Sequence, residues 1–186
     1  MNHTNTKKRF KTLDLAYIAM GAVLITLCSW ISIPMTVPFT MQTLAVFLVL
    51  SLLGGARGTA AIVIYLTLGA IGVPVYAEFS AGVGILFGMT GGYLLGFILM
   101  GLTYWLATKL FGKKLPVELF AMALGLILLY VFGTAWYMIV YNRGDETIGL
   151  LTALSWCVFP FIIPDVIKLG LAIAAAKRIA AAHKTK

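Results

Sequence analysis

Residues 159–177 read FPFIIPDVIKLGLAIAAAK. With its flanks this run is long enough to cross the ~30 Å hydrocarbon core of a bilayer as a helix. Its two interior charges, Asp165 and Lys168, are three residues apart, so a helix puts them on one face within reach of each other. Ionisable side chains inside a span are costly and point by default to a functional site. Two readings fit the spacing. The pair neutralises itself and orients the helix, or each charge is offered to a ligand carrying both donors and acceptors. As one helix, residues 147–180 would be about 51 Å long, well beyond the bilayer. Pro160 and Pro164 also argue against an unbroken helix there. The sequence therefore predicts that 147–157 lie at the outer interface and that the span starts near Phe159. Asp165 then falls in the outer half of the membrane, with Lys168 one turn deeper.

The rest of the chain has the same character. Of 186 residues 61% are hydrophobic and only 11% charged, with a mean hydropathy of +1.01. A soluble domain of this size cannot hide so much apolar surface, so lipid is the expected solvent. Apolar runs predict six spans, near residues 13–33, 41–56, 59–74, 91–111, 115–140 and 157–179. The second and third are short and joined only by Gly54-Gly55-Ala56-Arg57-Gly58, which suits a tight helical turn. Lys7, Lys8, Arg9, Lys11, Arg57, Lys109, Lys113, Lys114, Lys177, Arg178, Lys184 and Lys186 then share one side of the membrane. The other side has Arg143, beside Asp145 and Glu146. The asymmetry predicts six spans with both termini cytoplasmic: a single transmembrane domain over 1–186 with tails at 1–12 and 180–186. Trp136, Tyr137 and Tyr141 fit an outer aromatic belt.

The net charge of +8 does not indicate nucleic acid, because the basic residues form short clusters between spans and no stripe interleaved with aromatics. Cys28 and Cys157 stand alone in apolar runs and read as small buried hydrophobes, with no metal site or disulfide. The run from Leu15 to Ile33 carries no A-x-A cleavage signal and reads as an uncleaved span. No phosphate-binding loop is present: Gly112-Lys113-Lys114 lacks the upstream Gly and the following Ser/Thr. No HExxH, G-x-S-x-G or paired His/Cys set occurs, and His3 and His183 sit in the tails. No catalytic residues are expected.

Between the third and fourth spans the segment from Ile71 to Gly84 is apolar but broken by Gly and Pro. Irregular backbone at membrane depth is tolerated only when buried in protein or lining a cavity. A pocket-lining lid and a loop packed on the bundle both fit. Gly84, Gly88, Gly92 and Gly96 recur every fourth position, which in one helix permits close approach of a neighbour. Helix packing suits Gly96, whereas Gly91 and Gly92 at a helix start also suit backbone N–H donation to a ligand. Gln42 and Thr43 read either as ligand hydrogen-bonders at a pocket mouth or as polar helix-start residues.

Several stretches resemble the BioY family, the biotin-binding S components of energy-coupling-factor (ECF) transporters. They are Phe39-Thr40-Met41-Gln42-Thr43-Leu44, Gly54-Gly55-Ala56-Arg57-Gly58, Leu68-Gly69-Ala70-Ile71-Gly72-Val73-Pro74-Val75, Thr90-Gly91-Gly92-Tyr93-Leu94, Phe132-Gly133-Thr134-Ala135-Trp136, and Phe159-Pro160-Phe161 followed by Pro164-Asp165-Val166-Ile167-Lys168. The resemblance implies an all-α integral membrane fold of six helices with a Gly-rich outer loop between helices 3 and 4. It also implies capture of biotin from outside the plasma membrane, with no cofactor in the chain, and partnership with a transmembrane coupling protein (T component) and two ABC-type ATPases. Two positions depart from the family pattern: Glu78, where a small residue is common, and Met89, where a proline usually precedes Thr-Gly-Gly-Tyr. The family's Ala-x-x-x-Ala docking surface on helix 1 is replaced by Ala16, Ala19 and Ala22 at three-residue spacing, a candidate docking face for the coupling protein.

Biotin's chemistry fits the residues singled out. An Asp165 carboxylate suits a ureido N–H, and a Lys168 ammonium suits the valerate carboxylate or the ureido oxygen. Tyr93 and Trp136 are candidate walls for the ring system, with Gly91, Gly92, Gln42 and Thr43 as candidate polar contacts. Which biotin group meets which charge stays open. A self-sufficient secondary carrier or facilitator of biotin is the alternative function, weakened because the short chain and single buried pair show no clear inverted repeat. An intramembrane enzyme would need a nucleophile or metal set that the sequence lacks.

Overall fold

The computed structural model describes residues 11–144 and 147–184, with side chains through Ala182. Lys7, Lys8, Arg9, Asp145, Glu146, Lys186, His3 and the side chains of His183 and Lys184 lie outside the described residues. The first long helix, α1 (Thr12–Trp30), starts where Asp14 Oδ2 accepts the Lys11 N–H at 3.0 Å and the Asp14 N–H donates to Lys11 O at 2.8 Å. It ends short of the expected residue 33, because Ser32–Ile33 (β1) turn back to pair antiparallel with Phe39–Thr40 (β2). Two-residue strands leave no periodicity to read, so this small ribbon, with prolines at 34 and 38, has no counterpart among the sequence expectations.

Helix α2 (Gln42–Ala70) is two antiparallel arms joined at Gly54, whose φ of 78° and ψ of 173° suit glycine and few other residues. The arms' far ends meet: Gln42 Nε2 donates to Tyr65 Oη at 3.0 Å. A straight helix would hold residues 23 apart about 35 Å away. The bend leaves carbonyls at the end of the first arm without helical partners, and the Lys113 ammonium caps one of them, Ser51 O. Arg57 pairs with Asp14 of α1 at 2.7 Å.

The remaining elements are a 3₁₀ turn (Ala77–Phe79), α3 (Val83–Phe87), α4 (Gly91–Phe111), α5 (Leu115–Tyr141), α6 (Leu150–Cys157) and α7 (Phe159–Lys184). The helices α1, α4, α5 and α7 and the two arms of α2 make six passes along the bundle among the described residues. Five helical stretches, α2 entire and α6–α7 as one among them, are long and apolar enough to cross a membrane. The break after residue 157 falls at Val158 (φ −127°, ψ −56°), close to its expected place. Pro164, expected to help interrupt the helix, instead sits inside continuous α7. Its missing N–H leaves the carbonyl four residues back, on Pro160, without a helical donor, so α7 loses one bond close to its start.

Helix α7 is inverted relative to a soluble amphipathic helix. Asp165 and Lys168 are 2% and 4% exposed, whereas Ile163 is 72% and Val166 58% exposed. Charges turned inward and large aliphatics turned outward are the pattern of a helix solvated by lipid. The core between the helices is held by fully buried Tyr65, Tyr104, Tyr137, Phe47 and Met122. Chain direction puts the α2 bend, the α4–α5 link and the end of α7 at one end of the bundle. The ribbon, the 71–90 segment and the α5–α6 connection lie at the other.

The fourfold glycine repeat does not form one helical face, because the chain breaks between Gly88 and Thr90. Within α4 the two remaining glycines of the repeat do admit α5: Leu129 stands 3.3 Å from where a Cβ on Gly96 would be, and Trp136 packs against Gly92.

Candidate functional site

A cavity of ≈ 290 Å³ opens at the ribbon end of the bundle. It is walled by the tip of the ribbon (Val37, Pro38, Thr40), the start of α2, Tyr76, Ala77, Glu78 and Ser80 of the following segment, Tyr93, Leu94 and Phe97 of α4, Leu129 and Tyr130 of α5, and Cys157, Phe161, Asp165 and Lys168 of the last helices. Its size is near the lower bound of roughly 300–1,000 Å³ for small-molecule pockets, and its mix of apolar wall and few polar groups is typical of them.

The polar floor is a closed network. Lys168 Nζ donates to Asp165 Oδ1 at 2.8 Å, to Thr40 O at 2.8 Å and to Thr43 Oγ1 at 3.0 Å. Those three bonds use every proton of the ammonium. Asp165 Oδ1 also accepts from Thr43 Oγ1 at 2.8 Å, and Oδ2 accepts from Tyr130 Oη at 2.7 Å. A carboxylate offers about four acceptor directions, so Asp165 has one left, on Oδ2. The Phe39 ring lies under the ammonium at 4.2 Å and stacks on Phe161 at 6.1 Å, adding a cation–π contact. The pair is thus electrically neutral, with every Lys168 proton held by protein.

The ribbon explains how two distant segments build this floor. Pairing Ser32 with Thr40 aims the Thr40 carbonyl at α7, and the helix starting two residues on delivers Thr43 to Asp165. Gln42 lines the cavity with its amide held by Tyr65, which leaves one amide proton uncommitted. Tyr93 lines it with its hydroxyl paired to Thr134 Oγ1 at 2.9 Å, and its ring fits only because residue 133 is glycine.

The other predicted site residues lie outside the cavity wall. Gly91 donates its N–H to Gly88 O at 3.1 Å, so that group is not free for a ligand, and a side chain there would strike Leu86 O. Gly92 is pressed against the Trp136 side chain. Trp136 buttresses the turn before α4 rather than a ligand: its Nε1 donates to Gly88 O at 3.0 Å between Phe87 and Phe132. On α1, Ala16 and Ala19 are exposed, whereas Ala22 is 2% exposed at the base of a groove that it lines with Ala19 and Val23 of α1 and Ile64 and Leu68 of α2.

Sequence reading missed Tyr130, Phe39, Phe161 and Tyr76. Phe161 was detectable, since Phe161, Asp165 and Lys168 follow the i, i+4, i+7 spacing of one helix face. Tyr130 carries no such local signal, because it reaches Asp165 across 35 residues of chain. Tyr76 anchors the 71–82 segment by donating to Leu66 O at 2.7 Å from a site where Gly69 makes room for its ring. Burial pushes the Tyr76 phenol up to about 12, which keeps that proton in place. Ser29 Oγ and Trp30 Nε1 of α1 hold the same segment through Val75 O and Pro74 O.

The model of the BioY family matches residues 2–185. The chain belongs to the BioY family. Among relatives, it is 40% identical over 162 residues to Biotin transporter BioY of Thermotoga maritima, covering 84% of this chain and 89% of that one. It is 37% identical over 160 residues to Biotin transporter BioY2 of Lactococcus lactis subsp. cremoris, covering 85% of each. Among solved structures, it is similar to the S-component for biotin from an ECF-type ABC transporter, with a TM-score of 0.80 and 26% identity over 93% of this chain and 95% of that one. BioY membership and the inverted face of α7 agree that this is a membrane protein of a transporter family.

Proposed function

We propose that this chain is the biotin-capturing S component of an ECF-type uptake system in the cell membrane. The observation that carries the reading is the floor of the cavity. Lys168 has no proton to spare and Asp165 has one acceptor direction open, so the floor suits a neutral ligand group that donates. A ureido N–H meets that need, and the free amide proton of Gln42 suits the ureido oxygen. A carboxylate at the same place would face Asp165 with no available cation. The ureido ring therefore goes to the floor, the apolar wall of Tyr93, Leu94 and Phe97 covers the bicycle, and the valerate points to the mouth.

Arg57, Lys109, Lys113, Lys114, Lys177 and Arg178 cluster at the end opposite the cavity, which supports cytoplasmic termini and a mouth open to the outside. Energy is then supplied by partners, a T component and two ABC-type ATPases, docking in part on the exposed Ala16 and Ala19 of α1. The deciding experiment is calorimetric titration of the purified chain with biotin in detergent, paired with uptake by vesicles holding this chain alone. Saturable one-to-one binding without net transport is expected. No binding at micromolar biotin refutes the reading, and gradient-driven accumulation by the chain alone would make it a self-sufficient carrier.

A further inference from the structure

We infer that Glu78 is a selectivity residue: it disfavours a free carboxylate on the ligand's tail and favours tails capped as amides or ending in an amine. The inference rests on the reading of the cavity as a biotin site with the tail at its mouth.

Glu78 lines the cavity from an exposed position on the 3₁₀ turn. No described residue hydrogen-bonds or ion-pairs with its carboxylate. Its backbone is left-handed (φ 57°, ψ 30°), as is that of Phe79 (φ 57°), a conformation unfavourable for residues with a Cβ. The turn is fixed there from both flanks. Ser80 N–H bonds to Ala77 O at 3.1 Å, Tyr76 N–H bonds to Ser80 O at 3.1 Å, and the Phe79 ring lies 4.9 Å from that of Trp30. A pinned turn fixes where the Glu78 side chain leaves the backbone, on the cavity wall.

The side chains on the described cavity wall that carry a formal charge at neutral pH are Glu78, Asp165 and Lys168. The last two cancel, and all three ammonium protons are committed, so the described cavity wall has a net negative charge; Arg143, at the same end of the bundle, is not among its lining residues. A valerate carboxylate leaving the mouth meets repulsion, a neutral amide meets none, and an amine is attracted. Between exposed groups in water the effect is modest, about three- to tenfold, and it fades beyond a Debye length of ~8 Å at physiological salt.

The test is calorimetric titration of the wild-type chain, Glu78→Gln and Glu78→Gly with three ligands: biotin, biotinamide and biotin coupled to ethylenediamine. Removing the charge is expected to tighten biotin about three- to tenfold, to weaken the amine-tailed ligand by a similar factor and to leave biotinamide unchanged. High salt should shrink these differences in the wild type. Glu78→Gly also relieves the left-handed backbone, so a loop-order effect would shift all three ligands together. Parallel shifts, or weaker biotin binding by Glu78→Gln, overturn the inference while leaving the biotin site intact. If none of the three ligands binds the wild type, the biotin reading itself fails and this inference falls with it.

Discussion

Replacing Asp165 and Lys168 together is expected to harm the fold far less than replacing either alone. Both side chains are buried, at 3% and 5% exposure, so solvent does not screen them. Asp165→Asn removes the charge opposing Lys168 and sets an amide beside groups that donate to the carboxylate. Lys168→Met leaves the carboxylate with only Thr43 and Tyr130. Removing one member of a buried pair costs about 3–5 kcal/mol. At about 2–4 °C per kcal/mol for a chain of this size, each single variant should melt roughly 6–20 °C below wild type. In the double variant the new amide can accept from Thr43 and donate to Tyr130, and the main residual loss is the donor to Thr40 O. The remaining cost is about 1–2 kcal/mol, so the double variant should melt above both singles. It should still bind biotin about 10- to 150-fold more weakly, because a charged acceptor contributes about 1.5–3 kcal/mol. Thermal unfolding in detergent without ligand, followed by calorimetry, measures both. A double variant that melts at or below the worse single would refute the closed-network reasoning. One that recovers stability with wild-type affinity would make the pair purely structural.

Three further outcomes follow from the packing. Tyr130→Phe strips Asp165 Oδ2 of its donor and should lower stability by about 1–3 kcal/mol, read as a lower unfolding temperature. Gly133→Ala should cost about 1–3 kcal/mol and weaken biotin binding, because the new methyl drives Tyr93 toward the cavity; unchanged affinity would remove Tyr93 from the wall. Gly54→Ala places a Cβ at φ 78° and should cost about 1–2 kcal/mol, with biotin affinity preserved in the folded fraction by calorimetry since the bend lies at the far end from the cavity.

The chain's membrane class and its spans were legible because they depend on local composition: apolar runs, glycine at the bend and a break near residue 158 all leave marks within a few residues. The floor of the site was half legible. Asp165 and Lys168 announced themselves as charges in a span, and their helical spacing put them together. Their saturation was not visible, because it comes from Thr40, Thr43 and Tyr130, brought from other elements by a two-residue ribbon and by α5. The glycines misled for the opposite reason. Gly91 and Gly92 are buried at close contacts and look in sequence like ligand-facing backbone, since a glycine is required equally where a ligand approaches and where a tryptophan does.

The same distinction changes what the buried pair contributes. From spacing alone, a lysine in a transporter span invites pairing with the ligand's carboxylate. With all three of its protons held by protein, Lys168 instead fixes Asp165, Thr43 and the Thr40 carbonyl in one arrangement. A floor already neutral and ordered has little left to desolvate or immobilise on binding, which favours affinity through preorganisation. Selection among tails then falls to the mouth, where Glu78 is the uncancelled charge.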